Sequence, residues 1–468
     1  MMRERYAPHP YQDLIREHVE AQPRTAVFAG MGMGKTSSAL TAIDELNVVE
    51  GTLPTLVLAP LRVARSTWPR EAEKWAHLEN IRVQPVTGSV AERRLALKQD
   101  ANVFATNYEN VPWLIEHFAD QKRWPFGRIV ADESTRLKNF RLKRGGARAA
   151  ALARAAFDPR VKHWINLTGL PAPNGLKDLW GQMWFLDRGV RLGRTYDAFK
   201  MRWFHRGYDG YALQASGFAQ QQIQDAIRDI TLALDPKDWF DLKDPIVRKI
   251  EIDLPGDARR RYREMEREMF TWLKAKMEER SVEVFTSAAK SMKLLQLASG
   301  TAWISTAERE WAAVHDEKLD ALESVLEEAG GMPVLAVYHW VPSRERILAR
   351  FPQARPFDAD PRTEDEWNAG KIPLMVIHPA SGGHGMNLQF GGNIIAHYDQ
   401  WWDLELYAQV NERLGPVRQV QAGFDRNVWH YMIVARDTVD EDVVFRRDGK
   451  RAVNDILFEA MKRRLSHG

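Results

Sequence analysis

Short apolar runs, rich in β-branched residues, stop abruptly at loop residues five times in the first part of the chain: Thr25 to Ala29, Thr55 to Ala59, Asn102 to Thr106, Arg128 to Ala131 and His163 to Leu167. Helical patterns lie between them, Thr36 to Glu45 and Thr67 to Trp75 among them, and the alternation predicts a parallel sheet covered by helices. A later series, Pro333 to Tyr338, Pro373 to His378, Asn393 to His397 and Val428 to Val434, predicts a second, similar lobe. Tyr196 to Leu234 and Asp257 to Leu297 differ: they are long, polar and helix-patterned, and read as helical insertions. Asp235 to Pro255 carries Pro236, Pro245 and Pro255 and reads as the inter-lobe connection, because proline ends helices and fixes extended turns. The expected organisation is therefore α/β: a first lobe over 1–188, its helical insertion over 189–244, the connection with a helical insertion of the second lobe over 245–310, and the second lobe over 311–468. No repeat, heptad or low-complexity tract interrupts it.

Composition narrows the picture. A chain of 468 residues exceeds the usual size of one core, and 44% hydrophobic with 28% charged residues is ordinary for a globular protein. No apolar run approaches the roughly 20 residues that span a bilayer, and Met1-Met2-Arg3-Glu4-Arg5 lacks the apolar core of a signal peptide, so a cytoplasmic location with no membrane partner is expected. The absence of cysteine excludes disulfides and thiolate zinc sites. A net charge of +3 says little, but its distribution says more. Arg136, Lys138, Arg141, Lys143, Arg144, Arg148, Arg154, Arg160 and Lys162 face a single acid, Asp158, in a block that suits either a solvated helix face or a nucleic-acid surface. For most of the 17 tryptophans core packing is a better expectation than base stacking. His9, His384 and His397 sit in motif contexts, no His-x-x-x-His pair occurs, and no transition metal is expected.

The strongest chemistry is the loop Ala29-Gly30-Met31-Gly32-Met33-Gly34-Lys35-Thr36, which follows one predicted strand and opens a helix. There, backbone N–H groups and the helix N-terminus can surround phosphate oxygens. Gly32, Met33, Gly34, Lys35, Thr36 and Ser37 are the expected ATP contacts, with Lys35 on the β and γ phosphates and the Thr36 hydroxyl on Mg²⁺. Ala29 stands where the strict motif has glycine. A turn that merely packs is the plain alternative, and the Lys-Thr pair after a strand speaks against it. Arg128-Ile129-Val130-Ala131-Asp132-Glu133 ends a second strand in two acids. Alone these suit any turn; beside a phosphate loop, Asp132 holds Mg²⁺ through water and Glu133 orients the attacking water.

Further segments fall in a telling order. His9-Pro10-Tyr11-Gln12 precedes the loop; Leu56-Val57-Leu58-Ala59-Pro60-Leu61 follows, with Trp68, Glu71 and Trp75. Then come Phe104-Ala105-Thr106-Asn107-Tyr108-Glu109, Asp132-Glu133-Ser134-Thr135-Arg136-Leu137-Lys138-Asn139 and Leu167-Thr168-Gly169-Leu170-Pro171, with Leu179-Trp180 after it. The second lobe has Val334 to Tyr338, Ser381-Gly382-Gly383-His384-Gly385-Met386-Asn387-Leu388, Tyr398-Asp399-Gln400-Trp401-Trp402 and Gln409-Val410-Asn411-Glu412-Arg413-Leu414-Gly415-Pro416-Val417-Arg418-Gln419. Over nearly the whole chain this order resembles the Swi/Snf-type branch of superfamily 2 DNA-dependent ATPases. Ile433 to Asp440 with Lys450 to Arg464 resembles the closing helix of bacteriophage-encoded members.

The resemblance implies two RecA-like lobes with the nucleotide in the cleft between them. It makes Gln12 the adenine reader, and places Pro60, Leu61, Arg62, Asn107 and Tyr108 on a DNA backbone, joined in the second lobe by Tyr338, Ser381, Gly382, Gly383 and Trp402. Thr168 and Gly169 become the coupling motif, and Gly385 and Asn387 approach the nucleotide. Arg413 becomes the first arginine finger. The family's second finger falls at Pro416, which cannot serve, so Arg418 is assigned to that role. Thr135 replaces the family's His and Leu170 a frequent Thr, while both acids remain. In this context Arg136, Lys138 and Arg141 are expected to face DNA.

The function expected is that of an ATP- and Mg²⁺-dependent motor that translocates on or remodels duplex or branched DNA, or engages single strands, in phage replication, recombination or repair. Two other readings stay open. A strand-separating helicase would need a wedge that sequence does not reveal. A DNA- or partner-binding module with a degenerate ATPase would account for Ala29, Thr135 and Pro416, but not for intact Lys35, Thr36, Asp132, Glu133 and Arg413.

Overall fold

The computed structural model describes residues 3–120, 124–142, 147–206, 213–278, 284–305, 310–358, 360–381 and 386–449. They fall into two compact units, the first up to Asp241 and the second Leu242–Gly449. The boundary lies inside the proline-bearing segment read as a connection.

The first unit is built on a seven-stranded sheet of order β3-β4-β2-β5-β6-β1-β9. Its strands are β1 (Arg24–Ala29), β2 (Thr55–Ala59), β3 (Val83–Pro85), β4 (Val103–Asn107), β5 (Arg128–Asp132), β6 (His163–Thr168) and β9 (Thr231–Leu234), and every pairing is parallel. The runs are apolar without interruption because both faces are covered. On β1, Ala26 and Phe28 enter one buried cluster while Val27 and Ala29 enter the cluster on the other face. Helices α1 (Pro10–Ala21) and α2 (Lys35–Glu50) pack on the second of these, followed by α3 (Trp68–Lys74).

The second unit repeats the design with six parallel strands in the order β10-β17-β16-β13-β15-β14. These are β10 (Ile246–Ile252), β13 (Val334–Val337), β14 (Ala354–Pro356), β15 (Leu374–Ile377), β16 (Ile394–His397) and β17 (Trp429–Ala435). Two RecA-like parallel-sheet lobes are therefore present. Trp68, Trp164, Trp180, Trp203, Trp367 and Trp401 are fully buried, so these tryptophans serve the cores.

The intervening segments are less purely helical than their pattern suggests. Within 189–244 stand the helices Tyr196–Trp203 and Ala219–Ile227, but also an antiparallel hairpin of β7 (Phe204–Arg206) and β8 (Leu213–Ala215) and the edge strand β9. Within 245–310 the helices Gly256–Glu278 and Val284–Ala298 are preceded by β10, and β11 (Thr301–Ser305) turns back onto β12 (Glu310–Ala313). β10 carries Arg248, Lys249 and Glu251 among its apolar residues and has one neighbour only, so it lacks the continuous apolar run of a central strand. No helix among the described residues is long and apolar enough to cross a membrane.

Candidate nucleotide and nucleic-acid site

In both sheets the motif loops leave the C-terminal strand ends, where open parallel sheets collect their ligands. β1 hands the chain to the phosphate loop, which turns into α2 at Gly34. Gly34 is left-handed, with φ 63° and ψ 27°, and a Cβ there would collide with Gln12 Nε2. Both its backbone and its neighbour thus call for glycine. Gln12 is fixed from the other side: its Oε1 accepts from His9 N at 2.8 Å in the capping box of α1, and its Nε2 lies 3.4 Å from Ser37 Oγ. Ser37 Oγ in turn donates to Gly34 O at 2.9 Å. Gly32 is also left-handed at φ 82°, Met33 is buried in the core, and Thr36 stands half-buried in the first turn of α2. The Lys35 ammonium donates to Ala29 O at 2.8 Å and Gly30 O at 3.0 Å, folding over the loop that carries it.

One wall of this loop is not anticipated by the motifs. A Cβ on Gly30 would run into the Pro236 ring, and Tyr11 meets Trp239 and Phe240 edge-on at 5.7 and 5.6 Å. The signal available in sequence was the pair Trp239-Phe240 shortly after Pro236, in the segment read as the inter-lobe connection.

The acids lie two strands away, with β6 between β1 and β5. Asp132 is 7% exposed, yet both carboxylate oxygens have donors: Trp68 Nε1 on Oδ2 at 2.9 Å and its neighbour Glu133 N on Oδ1 at 3.1 Å. Burial pushes the Asp132 carboxyl up; the Trp68 hydrogen bond, the Lys35 charge and the Glu133 amide pull it down. Glu133 adopts φ 53° and ψ 56°, uncommon for any residue but glycine, and its side chain is half-buried. Thr135, at the family's histidine, is fully buried. Between the acids and the loop, Thr168 Oγ1 accepts from Leu170 N at 3.1 Å, and Gly169 packs against Met31 and the Ala29 carbonyl. Gln182 escaped the motif reading. Its Oε1 accepts from Ser134 Oγ at 2.9 Å and its Nε2 donates to Pro171 O at 2.7 Å, tying the acid loop to the coupling loop. A lone amide in the apolar helix Leu179–Asp187 was its signature.

Residues expected on DNA divide sharply. Leu61 is 51% exposed and Arg62 half-buried, whereas Pro60 is buried. Asn107 and Tyr108, expected on the DNA backbone, are both buried, and their polar side-chain atoms bond within the first unit. Asn107 Nδ2 donates to Glu109 at 2.8 Å and its Oδ1 accepts from Asn110 at 2.6 Å, while the Tyr108 hydroxyl donates to the Asp132 carbonyl at 2.9 Å. Arg136 is exposed and 3.8 Å from Glu109, and Lys138 is half-buried. Arg141 is half-buried, donates to Lys138 O at 2.9 Å and covers the Tyr196 ring at 3.3 Å. Lys143 and Arg144 lie outside the described residues.

In the second unit Gly382, Gly383, His384 and Gly385 lie outside the described residues. Ser381 is exposed, Tyr338 is half-buried and edge-on to His378 at 5.6 Å, and half-buried Trp402 is faced by Arg446 at 5.6 Å. Asp399, which the motif reading passed over, accepts from His339 N, Trp340 N and Ser343 Oγ at 2.7, 3.1 and 3.0 Å, locking the end of β13 to that of β16. Asn387 is held at three points: its amide N–H donates to Glu364 Oε1 at 3.0 Å, its carbonyl accepts from Asn368 at 2.7 Å, and its Oδ1 accepts from Arg418 at 2.8 Å. Arg413 is 5% exposed and donates to Met386 O at 3.2 Å. Pro416 opens the helix Pro416–Gln421, a position that suits proline because the first turn needs no N–H from it. Among the described residues no group of three or more His, Asp or Glu side chains is placed to hold a metal by itself.

The sequence matches the model of the SNF2-related domain over residues 19–299. It is 53% identical to the protein p41 of Acyrthosiphon pisum secondary endosymbiont phage 1, across 98% of this chain and 99% of that one. It is 22% identical to YwqA of Bacillus subtilis, named as an ATP-dependent helicase/translocase, across 92% of this chain but 46% of the relative, so the chain spans about half that protein's length. Among solved structures, the SWI2/SNF2 ATPase core of Sulfolobus solfataricus in complex with dsDNA superposes with a TM-score of 0.44 at 20% identity, covering 97% of this chain and 94% of that one. The chain belongs to the SNF2-related family and carries that family's helicase-like ATPase domain.

Proposed function

We propose that this protein is an ATP-dependent DNA motor that hydrolyses ATP to translocate on or remodel duplex or branched DNA, in the replication, recombination or repair of a phage genome. The observation that carries this reading is the pairing of a left-handed Gly34 loop and its Lys35 ammonium with the buried, twice-donated Asp132 carboxylate two strands away. The residues fit a nucleotide with Mg²⁺: a strand-to-helix turn offers amides to phosphate oxygens, and a carboxylate next to one lysine charge retains lone pairs for a metal-bound water. Bound Mg²⁺ offsets the charge of the β and γ phosphates. Thr36 and Asp132 are the residues that hold it, and Gln12 reads the adenine edge. Glu133 orients the attacking water, Lys35 neutralises developing charge, and Arg413 and Arg418 supply the remaining cations. Exposed Leu61, Arg136 and Ser381, with half-buried Arg62, supply the nucleic-acid contacts.

Lys35→Ala and Glu133→Gln are expected to abolish DNA-stimulated hydrolysis while duplex binding persists. Full activity in either variant refutes the mechanism. Stimulation by single-stranded, duplex and forked DNA, measured beside triplex displacement and fork unwinding, separates a translocase from a strand-separating enzyme. Hydrolysis indifferent to every DNA form refutes the motor.

A further inference from the structure

Two side chains from separate strand ends converge on Asp132. Trp68 opens α3 directly after the π-helical turn Val63–Thr67 that follows β2, a distortion often found where a helix must redirect a functional side chain. Its ring is fully buried, and its indole N–H, the side chain's one donor, goes to Asp132 Oδ2. Tyr108 follows the last residue of β4, and its hydroxyl donates to the Asp132 main-chain carbonyl. β4 and β5 are not neighbours: β2 lies between them, so Tyr108 reaches past the end of β2. The carboxylate and the backbone of one residue are therefore held by the connections leaving β2 and β4. Each connection also has a part that reaches the surface: Leu61 and Arg62 before the π-turn, and Glu109 beside Tyr108, paired with exposed Arg136.

We infer that Trp68 and Tyr108 are positioning residues that carry the grip of a DNA phosphate backbone on these two connections to the Asp132 carboxylate, so that DNA raises the affinity for the Mg²⁺–nucleotide complex. The inference rests on the DNA-motor reading above. The indole N–H fixes which lone pairs of Oδ2 remain for a metal-bound water, and a tilt of α3 rotates the carboxylate with it. Partners of this kind, one step removed from the metal, commonly carry about 10-fold or more in metal affinity. Were the two bonds only satisfying buried donors, their loss would lower stability and leave metal dependence untouched.

The test uses the full chain. Binding of a fluorescent, non-hydrolysable ATP analogue is titrated with Mg²⁺, with and without a duplex oligonucleotide, for the wild type, Trp68→Phe and Tyr108→Phe; duplex affinity is measured separately by anisotropy. Duplex is expected to lower the wild-type Mg²⁺ half-point. Trp68→Phe should raise that half-point roughly 10-fold, and Tyr108→Phe should bind duplex as tightly as wild type yet lose the duplex-induced shift. Should Trp68→Phe fail to fold, Tyr108→Phe decides. A wild type that binds duplex, with a Tyr108→Phe variant that keeps the whole shift, refutes this inference alone. A wild type that binds no duplex refutes the motor reading and this inference with it.

Discussion

The Arg418 guanidinium donates to Asn387 Oδ1 at 2.8 Å, while Arg413 donates to the carbonyl of Met386, the preceding residue, at 3.2 Å. Two cations thus hold adjacent residues of one loop, and the proline at position 416 moves the second cation onto the first turn of its helix. If both act on the transferring phosphoryl group, Arg413→Ala should lower kcat by roughly 1,000-fold. Arg418→Ala should cost less. Combined with Asn387→Ala it should be scarcely worse than the more damaging single change, because one interaction is removed twice. Steady-state kinetics of the double-mutant cycle decide this, and strictly additive losses would dissociate the two residues.

Gly34 is a place where one methyl group should be costly. Gly34→Ala forces a left-handed alanine, at about 1–2 kcal/mol, and drives Gln12 from its seat against α2. The expected result is a lower melting temperature and weaker ATP-analogue binding, with reduced preference for adenine over guanine nucleotides. Unchanged base preference would remove Gln12 from the adenine site.

Gln182 should behave as a buried hub. Gln182→Leu strips partners from the buried Ser134 Oγ and from the Pro171 carbonyl, which costs on the order of 1–3 kcal/mol. Chemical denaturation measures that loss, and turnover should fall with it because the acid loop and the coupling loop are no longer tied together. A variant with wild-type stability would show that these loops are fixed by packing alone.

Acid should loosen the second unit. Burial pushes His378 and His397 below the ordinary imidazole range and brings His315 and His339 to about 4. In the unfolded chain such groups titrate near 6.5. Between about 6.5 and 4 the unfolded chain therefore binds more protons, so stability rises with pH across the window and is lost as pH falls through it. In the first unit Glu20 works the other way, since burial and Glu45 raise it to about 7, and it favours the fold as pH falls below that value. Melting followed from pH 7 down to pH 4 should show a declining midpoint, and His315→Gln should decline less steeply. A flat profile would contradict the assignment.

How much the sequence disclosed follows from which forces act locally. Central strands such as β1, β5 and β16 are legible because burial on both faces writes an unbroken apolar run, and the Gly34-Lys35 turn because left-handed backbone and phosphate binding each narrow the choice of residue. β10 hides among prolines and charges because an edge strand needs only half a buried face. Tyr108 and Asn107 look like exposed motif residues, yet their hydrogen bonds run inward; only the three-dimensional neighbourhood of Asp132 and Glu109 shows why. Pro416 looks like damage to a motif and is a helix start.

The Lys35 ammonium has a second consequence. In donating to Ala29 and Gly30 it is also a stitch that draws the loop onto its own strand. Cutting it unlaces the cradle as well as removing a charge, so a silent Lys35→Ala enzyme mixes two injuries. Glu133→Gln keeps the size of the side chain and removes only its anionic character, which makes it the cleaner scalpel for separating the hydrolytic step from the shape of the pocket that hosts it.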